Sequence, residues 1–570
     1  MMRERIPLQN RLRLPLLGLA IVALALLVLS EGYRVQVPPW LDTAQIILLN
    51  FLMILFLGDL GLNLVFEPDR GPWLKSHIPD LLLVPPVLFA LFHDHAALGA
   101  ALVITRECFV IFRMVARTRW FQQIPLALQL RPTQQLALSF LLCIFVGSFL
   151  LTIPTATLDG RGTPPLDALF TATSAVCVTG LTVVDTEGYY TLFGKSVILV
   201  LIQIGGLGIM TLSTSIALIF KRKLGFRTRA LMENLVEGDS FQRLTSLVFY
   251  IIRAALLLEG LGALLLYLSW RKDFSSPTEA IFSSVFHAVT AFCNAGFSLF
   301  RGSLEAYRGS AMINLVLVSL MVMGGLGFTV LAAFFNAETL RLRWKGFRKL
   351  SAHTKLALVS SFFLLLGGTL FIFFFEFDGA LAPLGMKEKV MASVFQSATL
   401  RTAGLHTVDP ASFQNVTLWL MILWMFIGGC PSSAAGGIKI TTAGILVLSV
   451  RAMLLGREDV ELFGRSIPKE VVYKSIAIVI ISLMAVTLGF SLLLITQGGS
   501  FAGLLFETVS AFANVGLSLG VTPTLSAAGK LILIFLMYAG RIGPLTLALA
   551  VGERAARPSI HYPEARILVG

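Results

Sequence analysis

Residues Phe170–Thr182 read FTATSAVCVTGLT, and the pattern returns three times further on: FHAVTAFCNAGFS at Phe286–Ser298, VFQSATLRTAGLH at Val394–His406 and FETVSAFANVGLS at Phe506–Ser518. Each copy is a short amphipathic run rich in Ser, Thr and Ala. Each stops at one glycine, Gly180, Gly296, Gly404 or Gly516, followed by Leu or Phe and then a polar residue. The glycines lie 116, 108 and 112 residues apart, and a period that long and that regular marks a duplicated unit.

Every copy sits between two long apolar segments, so the unit reads as helix, short re-entrant helix, glycine turn, helix. Backbone that is neither helix nor barrel is tolerated at membrane depth only where protein buries it or where it lines a wet cavity. Four glycine turns gathered round one axis would do the second. Their carbonyl oxygens would then replace the water shell of a cation, as in a selectivity filter.

Composition agrees with a polytopic membrane protein: 570 residues, 56% of them hydrophobic, with a mean hydropathy of +0.82. Charged residues make up only 14%, yet the net charge is +13, and much of the excess lies in short tracts such as Lys221–Arg229 (KRKLGFRTR) and Arg341–Lys349 (RLRWKGFRK). Basic loops this close to spanning segments face the cytoplasm, which argues against nucleic-acid binding. Cys108, Cys143, Cys177, Cys293 and Cys430 show no CxxC spacing and no histidine partner at metal spacing, and read as small buried hydrophobes. The apolar run at Leu14–Leu29 lacks a small-residue cleavage pattern and is read as a retained first helix.

The expected architecture is all-α and polytopic. Residues 1–131 form an N-terminal region of about four transmembrane helices, followed by units at 132–230, 231–350, 351–465 and 466–570, the last ending in a short cytoplasmic tail. The helices of the units are placed at Gln135–Leu151 and Ser196–Phe220, Leu247–Leu268 and Ala311–Phe335, Leu356–Phe375 and Val416–Val450, and Val471–Ile495 and Gly529–Val551. An even number of spans with basic loops after the inner helices puts both termini in the cytoplasm and the re-entrant elements outside.

The N-terminal region resembles the voltage-sensor domain of tetrameric cation channels at Phe56–Asp59, at Trp73–Asp80 and in the arginine-bearing run Arg106–Arg119. Arg106, Arg113 and Arg117 share a helical face but are spaced by seven and four, leaving few charges to couple to the membrane field.

Each inner helix carries a glycine motif: Gly205–Gly208 (GGLG), Gly324–Gly327 (GGLG), Gly428–Pro431 (GGCP) and Gly540–Gly543 (GRIG). Close helix packing and a pore hinge are both open readings of such pairs. The third copy differs in kind. Its GGCPSSAAGGIKITT, from Gly428 to Thr442, cannot hold an unbroken helix, while its counterparts read as simple helices. A flexible intramembrane loop beneath a filter is a natural gate. Lys439 and Arg541 are cations at membrane depth, and two compatible roles stand for Arg541: an electrostatic barrier to the permeant ion, or a hydrogen-bonded pin on loop carbonyls. Glu259 lies mid-span and is read as structural, facing Arg253 or another subunit.

With these residues in hand, the chain resembles the Trk/Ktr/HKT superfamily of potassium-translocating membrane subunits, above all its bacterial TrkH and KtrB branch, from about Pro132 onward. The resemblance implies a filter made by Val178, Thr179 and Gly180, by Asn294, Ala295 and Gly296, by Thr402, Ala403 and Gly404, and by Asn514, Val515 and Gly516. Glycine in all four turns is the pattern of potassium-selective members. Plant relatives with serine in the first turn favour sodium. The resemblance also implies a gate of Cys430, Pro431, Ser432, Ser433, Ala434, Ala435, Gly436, Gly437 and Lys439 with Arg541. The permeant ion would be K+, with no bound cofactor. The partners would be a second copy of the chain and a ring of cytosolic nucleotide-binding regulatory subunits of RCK/KTN type, the whole seated in the lipid of the bacterial inner membrane. Gly205–Gly208 lies mid-membrane with no preceding strand and is no nucleotide fingerprint, so nucleotide control would come from the separate subunit.

Two other classes remain. A coupled or Na+-permeable symporter would need titratable groups along the path, for which Asp185, His287, His406 and Asp409 are the candidates. A membrane-embedded enzyme would need paired carboxylates, HExxH or GxSxG within a span, and none is present.

Overall fold

The computed structural model describes residues 132–219, 241–334 and 350–543, together with Thr43, Ile47, Asn50, Phe51, Ile54, Leu57 and Val84. The expectations for the sensor-like front with Arg106, Arg113 and Arg117, for the basic tracts at 221–229 and 341–349 and for the tail beyond 543 lie outside the described residues.

The described chain is helical and runs four times through a long helix, a shorter one that ends just ahead of a glycine turn, and a third helix. The first set is α1 (Pro132–Thr152), α2 (Pro165–Val176) and α3 (Leu192–Ile219). The second is α4 (Phe241–Trp270), α5 (Pro277–Cys293) and α6 (Ala311–Leu326), continued by α7 (Phe328–Phe334). Then come α8 (Ala352–Phe375), α9 (Met386–Thr399) and α10 (Asn415–Phe426), with α11 (Ile440–Leu454) beyond a non-helical stretch. After a short hairpin of β1 (Val460–Leu462) and β2 (Arg465–Ile467), α12 (Lys469–Thr496), α13 (Phe501–Ala513) and α14 (Ala527–Ile542) close the series.

Local chemistry sets where these helices start. Pro165 and Pro277 open α2 and α5, where the missing N–H is no loss and the fixed φ already suits a helix. Ser351 accepts from Thr354 N at 3.1 Å and Ser500 from Gly503 N at 3.0 Å, capping α8 and α13.

Burial is inverted relative to a water-soluble bundle. The outer helices leave large apolar side chains uncovered, among them Leu257 at 72%, Phe374 at 69% and Ile495 at 80% exposure, while Thr173, Ser174, Ser397 and Ser510 are buried. At about 25 cal/mol per Å2 that surface would be prohibitive in water, and lipid removes the penalty. Among the described residues, three helices, Tyr250–Trp270, Ala352–Phe375 and Lys469–Thr496, are long and apolar enough to cross a membrane, and shorter apolar helices accompany them.

The third helix of each set packs on the short helix of the next: α3 on α5, α6 on α9, α10 on α13, and α14 back on α2. The contacts therefore form a closed cycle with the short helices on its inside and α1, α4, α8 and α12 outside.

The expectation that the counterparts of the broken third inner helix are simple helices is corrected for the second. Its helix stops at Leu326, and Gly327 sits at φ 83° before α7 resumes. The fourth also ends at a left-handed glycine, Gly543 at φ 93°. A Cβ on Gly327 would lie 2.6 Å from Pro431 O, so the break is where the second inner helix yields to the loop of the third.

Candidate ion pathway and intramembrane loop

The four turns share one backbone conformation. Val178, Asn294, Thr402 and Asn514 have φ of 58°, 56°, 71° and 54°, and the glycines two residues later have 95°, 72°, 75° and 92°. A left-handed conformation costs a non-glycine residue about 1–2 kcal/mol. Four such residues at one offset from a glycine are therefore imposed by the surroundings.

The donors of each turn are held from behind. Thr179 N donates to Ser174 O at 2.8 Å and Gly180 N to Ser174 Oγ at 3.0 Å; Val515 N donates to Ser510 O at 2.9 Å and Gly516 N to Ser510 Oγ at 3.1 Å. In the second turn Ala295 N donates to Thr290 O at 2.8 Å, and in the third Ala403 N to Thr399 O at 2.9 Å. These hydrogen bonds tie each turn to the short helix that precedes it.

The glycines meet in a ring. A Cβ on Gly180 would lie 2.7 Å from Gly296 Cα; on Gly296, 3.2 Å from Gly404 Cα; on Gly404, 3.3 Å from Gly516 Cα; and on Gly516, 3.0 Å from Gly180 Cα. The order of the ring is the order of the helix cycle. No side chain fits at these four positions without moving a neighbour's backbone.

Two filter candidates present something besides a carbonyl. Asn514 Nδ2 donates to Thr179 Oγ1 at 2.8 Å and to Met537 O at 2.9 Å, tying its turn to the first turn and to α14. Asn294, with its amide nitrogen oriented to donate, reaches Ala291 O at 2.9 Å and Met321 O on α6 at 3.2 Å. Both side chains therefore run back to the inner helix of their own set.

The inner-helix glycines sit where a helix passes the end of a short one. Gly205, Gly324 and Gly540 face the carbonyls of Val176, Phe292 and Phe512, each four residues before its ring glycine, and a Cβ at any of the three would clash with that oxygen. In the third set Gly428 faces the carbonyl of Gly436 instead, so the loop itself occupies that place.

That loop spans 427–439 and is tied at several points to itself and to the second inner helix. Gly428 N donates to Ile438 O at 2.8 Å and Ile440 N to Gly429 O at 3.0 Å, closing its neck. Cys430 N donates to Gly325 O at 2.9 Å, and Phe328 N donates to Ser432 O at 3.2 Å, so the backbone freed at Gly327 is satisfied by the loop. Ser433 Oγ donates to Cys430 O at 2.6 Å and accepts from Ala435 N at 3.2 Å. Ser432 and Gly437 are left-handed, and a Cβ on Gly436 would lie 2.6 Å from Asn514 Cβ, which places the loop against the fourth turn.

Arg541 is 2% exposed and donates from one guanidinium nitrogen to Ala434 O and from another to Gly205 O at 2.5 Å. It therefore bridges the loop of the third set to α3 of the first. Lys439 turns back on the loop, its Nζ donating to Ala435 O at 2.7 Å.

Glu259 meets neither Arg253 nor solvent: both its oxygens accept from Gln203 Nε2, at 3.1 and 3.0 Å, and Cys293 Sγ lies 3.8 Å away. Asp185 and Asp409 cap helical turns, accepting from Gly188 N at 3.1 Å and Ala411 N at 3.0 Å. His406 lies 3.5 Å from Glu305, and its hydrogen bond holds that carboxyl below the usual glutamate range. Cys177, Cys293 and Cys430 are buried and free, Cys143 half-buried and free.

Sequence reasoning passed over Glu507 and Arg401. Arg401 lies within the third turn, 8% exposed, with one guanidinium nitrogen 3.4 Å from Ser361 O. Glu507 is fully buried behind the fourth turn. For Glu507 a signal existed: it stands nine residues before its ring glycine, as His287 does before Gly296.

The TrkH family, described as a cation transport protein, matches residues 102–558. The Ktr system potassium uptake protein B of Bacillus subtilis is 39% identical over 77% of this chain and 97% of its own length. The potassium/sodium uptake protein NtpJ of Enterococcus hirae is 35% identical over 78% of this chain and 98% of its own length. The crystal structure of the potassium transporter TrkH from Vibrio parahaemolyticus superimposes with a TM-score of 0.61 at 19% identity, covering 89% of this chain and 97% of that one.

Proposed function

Because the chain belongs to the TrkH family of cation transport proteins, we propose that it is the pore-forming subunit of a bacterial potassium uptake system, conducting K+ in single file through a ring of peptide carbonyls. The chain is an integral membrane transporter and not an enzyme, as its relatives are. In this reading 132–230, 231–350, 351–465 and 466–570 are four equivalent units round one pore, behind an N-terminal region of 1–131.

The observation that carries the reading is the closed ring of Gly180, Gly296, Gly404 and Gly516, each preceded at the same offset by a left-handed residue. The filter residues are Val178–Gly180, Asn294–Gly296, Thr402–Gly404 and Asn514–Gly516, offering carbonyls in place of water. The loop Cys430–Lys439, latched by Arg541 to two neighbouring units, is the gate. Both termini lie in the cytoplasm of a cell whose inner membrane holds the protein as a homodimer. The name of the Bacillus relative makes it one component of a Ktr system, which supports a separate cytosolic RCK/KTN-type partner that binds the nucleotide.

A second reading, Na+ permeation or coupling, is favoured by the potassium/sodium name of the Enterococcus relative. One experiment addresses both. Expressed in cells lacking their own K+ uptake, the protein is expected to restore growth at sub-millimolar K+ and to carry Rb+ inward without an opposing Na+ or proton gradient. Uptake that vanishes when the second gradient is removed would favour coupling, and no uptake of any alkali cation would overturn the function.

A further inference from the structure

Behind the fourth turn, Glu507 gathers three donors from the chain that leaves the ring. Its Oε1 accepts from Ser518 Oγ and from Leu519 N at 3.2 Å, and its Oε2 accepts from Thr522 Oγ1 at 2.7 Å. Ser518 Oγ in turn accepts from Gly520 N at 3.0 Å. The backbone from two to six residues beyond Gly516 thus hangs on one fully buried carboxyl group.

The second turn has the same device in different chemistry. His287, also fully buried, accepts from Leu299 N at its Nε2 at 3.3 Å, with Ser298 Oγ at 3.2 Å. Because Nε2 accepts, the proton sits on Nδ1, which donates to Ser283 O at 2.8 Å. In both turns the acceptor is nine residues before the ring glycine, and the N–H it holds is three residues after it. The first and third turns carry Thr171 and Phe395 at that place, and Phe395 has no polar atom to offer. The two braced turns stand opposite each other in the cycle.

We propose that Glu507, with His287 as its counterpart across the ring, is a positioning residue that fixes the outer exit of its filter turn and thereby sets discrimination between K+ and Na+. This deepens the filter reading and rests on it. A carbonyl ring separates two ions of equal charge by the spacing, number and field of its oxygens, all of which depend on where the strand is held. That spacing holds only if the strand beyond the glycine cannot slide. Removing an acceptor from a buried N–H leaves the donor to find another partner, and the strand moves to supply one.

The test compares variants by Rb+ and Na+ uptake per protein in the membrane. Glu507→Met leaves Leu519 N without its acceptor and is expected to lower the K+-over-Na+ ratio at least tenfold. Glu507→Gln keeps an oxygen for Leu519 N and Ser518, and its NH2 can donate to the Thr522 hydroxyl, so it is expected to stay within about threefold of the unaltered protein. Gly516→Ser, measured alongside, tests the ring itself. If Gly516→Ser shifts the ratio and Glu507→Met does not, the brace is overturned while the filter stands. If neither shifts it, both fall. Should Glu507→Met not reach the membrane, Ser518→Ala/Thr522→Val, which strips two of the three donors, decides: a lowered ratio supports the brace and an unchanged one overturns it.

Discussion

Gly180→Ser is expected to abolish most of the preference for K+ over Na+ while leaving a protein that still reaches the membrane. Two physical effects act together. At φ 95° a residue with a Cβ carries a backbone penalty of about 1–2 kcal/mol. Its Cβ would also lie 2.6 Å from Ala295 O and 2.7 Å from Gly296 Cα, inside any contact that real side chains make. The serine cannot retreat, because Gly180 N is held by Ser174 Oγ and the short helix behind it is buried. The strain is relieved by displacing the neighbouring carbonyl, which is a proposed ion ligand. Each 1.4 kcal/mol lost from the difference in binding between the two ions is tenfold in their ratio, so a fall of tenfold or more is expected. Rb+ and Na+ uptake per membrane-inserted protein measure it. An unaltered ratio would count heavily against assigning this turn to the filter.

Arg541→Ala is the second large effect, and set beside Arg541→Lys it separates the two roles that sequence leaves open for this cation. The guanidinium reaches Ala434 O in the loop and Gly205 O on α3, so it fastens the loop across a unit boundary. It also keeps a buried positive charge against the loop, and a cation brought near it in a low-dielectric interior is repelled. Removing the arginine releases the loop and the charge together, and basal uptake without any regulatory partner is expected to rise at least tenfold. Arg541→Lys keeps the charge but cannot span both carbonyls with one planar fork, and should fall between the two. Loss of the protein from the membrane, with unchanged flux per remaining copy, would leave Arg541 as a pin only.

How much of this was legible beforehand depends on the range of the interaction. The ring glycines and the offset between them are local and repeated, so they stand out in the sequence. The break in the third inner helix is equally local, since Pro431 and the glycine pair Gly436–Gly437 cannot continue a helix. The break at Gly327 was not legible: GGLG reads the same in the continuous α3 as in the interrupted second inner helix. What distinguishes them is the loop, whose Ser432 O takes the freed N–H of Phe328. Ring closure depends on contacts such as Asn514 to Thr179, across 335 residues, which no local pattern encodes. Glu259 invited an arginine partner because a buried carboxyl ordinarily finds a cation, yet an amide on α3 suffices. The hairpin Val460–Ile467 was missed because strands of three residues carry too little alternation to read.

The central claim is that the four turns form one ion site from backbone oxygens. The most direct measurement is an experimental structure with Tl+ replacing K+, phased on the anomalous signal of thallium. The account predicts a peak on the axis enclosed by the carbonyls of 178–180, 294–296, 402–404 and 514–516. Thallium bound elsewhere in the membrane region, with no density inside that ring, would contradict it.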